Sequence, residues 1–136
     1  MAIKKIEIIC KYCGESKIVG DQTYRKRPSQ FCSYQCSADY KRGTFIKSWM
    51  NEEINGTYNN SKKNGLHKRI TIWYKENINN CEICNIDRLW NGKELMFEID
   101  HIDGDRTNNY FSNLRCICPN CHSQTETFRA KNIKKK

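Results

Sequence analysis

Eight of the nine cysteines in this 136-residue chain stand in two quartets, Cys10-x2-Cys13-x18-Cys32-x3-Cys36 and Cys81-x2-Cys84-x33-Cys118-x2-Cys121. Each quartet is two close pairs, and a close pair delivers two sulfurs from one tight bend, as a tetrahedral zinc site requires. Disulfides are the competing reading. MAIKKIEIIC has no apolar signal-peptide core, and no run reaches the ~18 apolar residues of a membrane span, so the chain reads as cytosolic, with reduced thiols. In that compartment such pairs bind metal more often than they cross-link. Each quartet therefore predicts one structural zinc ion. A chain this short has little apolar surface to bury, and metal binding supplies part of the missing folding energy. The ninth cysteine, Cys116, sits in the alternating run LRCIC and reads as a buried strand residue outside both quartets.

The formal charge is +9, with twelve Lys and Arg against six Asp and Glu in residues 1–65 and twelve against nine in residues 66–136. Two zinc ions, each held by four thiolates, would lower this to about +5. The chain stays basic, which points to a polyanionic partner such as nucleic acid rather than a membrane or an acidic small molecule. Arg25, Lys26 and Arg27 form the densest internal cluster, and they either contact phosphates or make an ordinary solvated charge run. The terminal NIKKK reads as a solvated tail able to touch phosphate.

Three segments separate by composition. Residues 1–54 hold the first quartet among short β-branched runs (IEIIC, KIVG), followed by Tyr40, Phe45, Trp49 and Met50 at loose helical spacing, which predicts a zinc knuckle and a helix between Ser37 and Glu53. Residues 55–65, NGTYNNSKKNG, have two glycines, four asparagines and no apolar aliphatic side chain, and read as a linker or mobile loop. Residues 66–136 open with Leu66, Ile70, Trp73, Tyr74 and Asn77 on one helical stripe. FEIDHI and LRCI then read as two short strands, and Pro119 suits the first turn of a helix. In a strand, loop, strand, helix unit closed by the second quartet, Asp100 and His101 end the first strand and His122 lies in the first turn of the helix. A carboxylate and an imidazole then face the same space.

With Cys121 already completing a tetrahedral set, His122 is one metal ligand too many for CPNCHSQT. The run IDHIDGD…SNL…CPNCHS resembles the HNH endonuclease motif in its four-cysteine subgroup, with His101, Asn113 and His122 at H-x11-N-x8-H spacing. The upstream helix, the FCS-type knuckle and the basic N-terminus resemble small HNH proteins of bacteriophages and bacteria. The resemblance implies an α+β fold, a small zinc-stabilised ββα-metal, treble-clef-like nuclease core preceded by a zinc knuckle and helices. It implies that Asp100 and His122 hold a catalytic divalent cation, Mg²⁺ or Mn²⁺, that His101 is the general base, and that Asn113 holds the loop that orients His101. DNA would be the partner and substrate. Arg106 and Arg115 would be phosphate clamps or ordinary surface charges. Asp103 and Asp105 would be alternative ligands or, the favoured reading, a plain DGD turn, and His67 is left outside the site. A binding module that grips nucleic acid without cutting and an accessory factor of a DNA-packaging assembly are the competing functions.

Overall fold

The computed structural model describes residues 4–26, 28–57 and 65–129. Arg27, positions 58–64 of the expected linker, and the lysine-rich tail lie outside them. The chain divides into two compact units, residues 1–45 and 46–136, so the division falls inside a helix rather than in the glycine- and asparagine-rich stretch. Among the described residues no helix is long and apolar enough to cross a membrane.

In the first unit, β1 (Lys5–Ile9) and β2 (Ser16–Gly20) form an antiparallel hairpin with Lys5 opposite Gly20 and Ile9 opposite Ser16. The turn between them carries Cys10 and Cys13, and Gly14 closes it at φ +76°, a conformation that costs glycine no Cβ clash. Helix α1 (Asp21–Lys26) follows, and α2 (Tyr34–Met50) begins after Ser33, whose hydroxyl caps the backbone N–H of Cys36 at 3.1 Å. Of the described residues in this unit only Ile8 and Cys10 are buried.

The second unit has a core of its own. Trp49 and Ile70 are fully buried, and Trp49 packs edge-to-face on Phe111 at 5.0 Å, on Trp73 at 5.7 Å and on Tyr74 at 5.9 Å. Helix α3 (Lys68–Asn77) presents Ile70 and Tyr74 to this core, and Tyr74 donates its hydroxyl to the carbonyl of Leu114, 3.1 Å away. His67 is the N-cap of α3, its Nδ1 accepting from the N–H of Arg69 at 3.1 Å. A small hairpin of β3 (Leu89–Trp90) and β4 (Lys93–Glu94) turns through Asn91 and Gly92, both at positive φ. Then β5 (Glu98–His101) pairs antiparallel with β6 (Leu114–Ile117), and α4 (Pro119–Gln124) follows with Pro at its start. The fold is α+β, and β5, β6 and α4 make the ββα arrangement expected from the sequence.

Candidate active site and metal centres

The two cysteine quartets converge as their spacing requires. Cys10, Cys13, Cys32 and Cys36 form one set, and Cys81, Cys84, Cys118 and Cys121 the other, the sulfurs of each lying within 4.8 Å of one another. Zn–S bonds of about 2.3 Å set the edges of a tetrahedron at roughly 3.8 Å. The separations of 3.6 Å for Cys13–Cys32, 3.4 Å for Cys32–Cys36, 3.9 Å for Cys13–Cys36 and 3.8 Å for Cys84–Cys118 are of that size, so both sets fit zinc. Burial opposes ionisation of Cys10, yet the backbone N–H groups of Cys13, Cys32 and Tyr12 outweigh it and bring the thiol down to about 6. Cys81 is likewise brought to about 6 against its burial, by the N–H groups of Cys84, Cys118 and Ile83. The neighbouring thiols Cys36, Cys13 and Cys10 push Cys32 up to about 12, and burial followed by its neighbours does the same to Cys121. Four thiols this close cannot all ionise without a cation among them. Cys116 stands outside both sets, buried in β6, where Arg88 reaches its sulfur at 3.7 Å.

The ladder between β5 and β6 positions the remaining groups. Glu98 and Asp100 are two residues apart on β5 and so share a face, and Asp100 lies directly opposite Arg115. Arg115 donates from Nε at 2.8 Å and from Nη2 at 2.7 Å to the same oxygen of Asp100, Oδ2. The other oxygen, Oδ1, faces Nε2 of His122 at 3.7 Å. His122 is the fourth residue of α4, and its Nδ1 is hydrogen-bonded to the carboxylate of Glu98. Each member of the Asp100–His122 pair thus has its outward atom held by a third residue and its inward atom aimed at the other. Cation–ligand bonds of about 2.1 Å from each side can meet across such a gap. Asp100 is 6% exposed, so the pair is a built feature and not a surface accident.

Around it lies a cleft of about 560 Å³, lined among others by Asp100, His101, His122, Arg106, Phe128 and Arg129. The ring of Phe128 meets His122 edge-on at 5.0 Å, and the guanidinium of Arg129 sits over Phe128 at 5.0 Å. His101 ends β5, and its Nε2 contacts Oδ1 of Asn109 at 2.7 Å. Asn113 is buried and closes the loop. Its Nδ2 donates to Oδ1 of Asp103 and to the carbonyl of Asn108, both at 2.8 Å, while its Oδ1 accepts from the N–H of Asp103 at 3.1 Å and its carbonyl from Ile102 at 2.9 Å. Asp103 also accepts from the N–H of Asp105, and Asp105 from the N–H and hydroxyl of Thr107, so both carboxylates serve the turn. Burial pushes the Asp103 carboxyl up, but the N–H of Asp105 and the amides of Asn113 and Asn108 outweigh it and hold it below its ordinary value.

Sequence reasoning missed Glu98 and Asn109, which contact His122 and His101, and Phe128 and Arg129, which line the cleft. Asp100, His101, Asn113, His122 and Arg115 are brought together around β5, β6 and α4, and Arg106 lines the same cleft. Arg25, in the first unit, pairs with Asp21 at 2.9 Å while remaining largely exposed, and Lys26 is exposed.

Residues 91–124, which span β5, β6 and α4, match the family model described as HNH endonuclease. The second unit carries an HNH endonuclease motif. A 53-residue stretch is 43% identical to the H-N-H endonuclease F-TflIV of Escherichia phage T5, covering 39% of this chain and 23% of that protein. The chain thus spans less than a quarter of the length of this relative. No solved structure matches it. Within the HNH motif, the histidine that follows Cys121 is the one placed opposite Asp100.

Proposed function

We propose that the chain is a metal-dependent HNH endonuclease that hydrolyses DNA phosphodiester bonds, with one structural zinc ion in each quartet and one Mg²⁺ or Mn²⁺ held by Asp100 and His122. The observation that carries this reading is the 3.7 Å approach of Asp100 Oδ1 to His122 Nε2, beside His101 and inside one cleft. Two protein ligands leave a hydrated cation with open positions, and when bound it neutralises charge building on the phosphate and on the departing 3′ oxygen. The chain's own residues do the rest. His101 takes a proton from water as the water oxygen attacks phosphorus, the task of a general base. Asp100 and His122 bind, held by Arg115 and Glu98, and Asn113 keeps the loop after β5 closed. Arg106 and Arg129, on the cleft wall, are placed to pair with flanking phosphates. The expected products are a 5′-phosphate and a 3′-hydroxyl. Arg25, Lys26 and Arg27 would add sequence-independent phosphate contacts from the first unit.

Purified protein incubated with supercoiled plasmid tests the reading. Cleavage should require Mg²⁺ or Mn²⁺, stop with EDTA, and fall about 10²–10⁴-fold in His101→Ala with DNA affinity retained. Binding without cleavage under every cation would favour the non-cutting module instead.

A further inference from the structure

Asn109 is fully buried, and among the described residues it alone is hydrogen-bonded to the ring of His101. Its backbone is pinned first. The carbonyl of Asn109 accepts from the indole N–H of Trp49 at 2.8 Å and from the N–H of Gly56 at 3.2 Å. Its own N–H donates to Oδ1 of Asn55 at 2.9 Å.

From these backbone groups the direction of every following hydrogen bond can be worked out. Asn55 gives its Nδ2 to the carbonyl of Thr107 at 3.0 Å, an atom that can only accept, so the other end of that amide is oxygen. The hydroxyl of Thr57 lies 3.1 Å from that oxygen and must donate its single proton to it. Thr57 Oγ1 then has only lone pairs to offer Asn109, 3.1 Å away, so the atom of Asn109 facing it is the Nδ2 donor. The opposite end, Oδ1, is an acceptor, and it lies 2.7 Å from His101 Nε2. An acceptor at that distance requires a proton on Nε2.

We propose that Asn109, oriented by Asn55 and Thr57, is a positioning residue that fixes neutral His101 with its proton on Nε2 and leaves Nδ1 as the basic nitrogen. The proposal rests on the reading of His101 as the general base and says which atom performs it. In the step, a water proton passes to Nδ1 as the water oxygen bonds to phosphorus. The P–O3′ bond breaks, and the 3′ oxygen takes a proton from solvent. The imidazolium so formed keeps its Nε2–H on Asn109 Oδ1, whose dipole favours the new positive charge.

Two experiments test it. The chain has three histidines, so two-bond ¹H–¹⁵N spectra, assigned with His101→Gln, read the His101 tautomer directly. The expected spectrum has a protonated Nε2 and an unprotonated Nδ1, and the reverse pattern overturns the proposal. Thr57→Val removes the hydroxyl that orients Asn109 while keeping its shape. It should lower kcat by roughly 10–10³-fold, short of the ~10⁴-fold that a fully wrong tautomer can cost, with KM, Mn²⁺ affinity and zinc content unchanged. Thr57→Ser should restore kcat. An undiminished kcat in Thr57→Val, or a Ser variant as slow as the Val variant, overturns the relay. Cleavage surviving in His101→Ala would sink the general-base reading itself, and the tautomer spectrum would stand apart from that failure.

Discussion

Glu98 and Arg115 act on the two proposed cation ligands from outside. A carboxylate on one ring nitrogen of a ligand histidine fixes the tautomer and turns the other nitrogen's lone pair towards the metal. Glu98 is hydrogen-bonded to His122 Nδ1 in this way, while Arg115 occupies one oxygen of Asp100 and the other faces His122, where the proposed cation would bind. Glu98→Ala should weaken Mn²⁺ binding, measured by calorimetry on zinc-loaded protein, by about 10–100-fold. Glu98→Gln keeps an oxygen that accepts from Nδ1–H and should retain most of the affinity. Equal losses in the two variants would mean that the negative charge, not the hydrogen bond, is what Glu98 contributes. Glu98 was missed because its partner, His122, is 24 positions away. The signal lay in period-2 spacing, which puts Glu98 and Asp100 on one face of a strand. The two asparagines of TNNY carried no such signal: which of them is buried against His101 depends on Trp49 and Thr57, contacts that exist only after folding.

At the scale of elements, the strands FEIDHI and LRCI, the helix after Pro119 and the amphipathic stripe of α3 were legible, because each follows a local period or a helix-start rule. The β3–β4 hairpin was not anticipated, although its Asn-Gly turn is a recognised hairpin signal, since strands of two residues give no alternation to read. NGTYNNSKKNG reads as a linker or mobile loop, yet its first three residues pack onto the second unit, with Gly56 buried and Asn55 and Thr57 half-buried. Thr57 bridges to Leu66, and a Cβ built on Gly56 would lie 2.1 Å from Ile70 Cδ1, 2.9 Å from Trp49 Nε1 and 3.0 Å from the carbonyl of Asn109. Two of those neighbours, Trp49 and Ile70, are fully buried, so little can yield. Gly56→Ala should therefore destabilise the second unit by about 1–3 kcal/mol, the usual cost of overpacking, read as a lowered urea midpoint of tryptophan fluorescence. An unchanged midpoint would show that the backbone gives way there. Composition could identify the glycine but not the close approach that demands it.

Over the whole molecule, with one zinc ion in each quartet as proposed, the two units would differ in how much of their folding energy the metal provides. Among described residues the first unit buries only Ile8 and Cys10, whereas the second has Trp49, Ile70 and Tyr74 besides the cysteine-lined cluster with Ile117. Where apolar burial is small, the free energy of metal binding is close to the whole free energy of folding. Cys32→Ser should therefore lose one zinc equivalent and the amide dispersion of β1 and β2, while the second unit keeps its zinc and its Mn²⁺ affinity. Cys121→Ser should lose the other zinc and with it Mn²⁺ binding, because Cys121 is next to His122 in α4, but the aromatic contacts of Trp49 should persist. EDTA at low concentration should act differently from both. Sulfur would hold zinc tightly, and the oxygen and nitrogen of the proposed ligands Asp100 and His122 would hold a hard cation weakly, so brief EDTA treatment should abolish cleavage with both zinc ions and the NMR spectrum intact. Added Mg²⁺ or Mn²⁺ should restore activity. If EDTA stopped cleavage only as zinc was released, or if His122→Ala released zinc and left cation-dependent cleavage unchanged, the separation of His122 from the second quartet would fail.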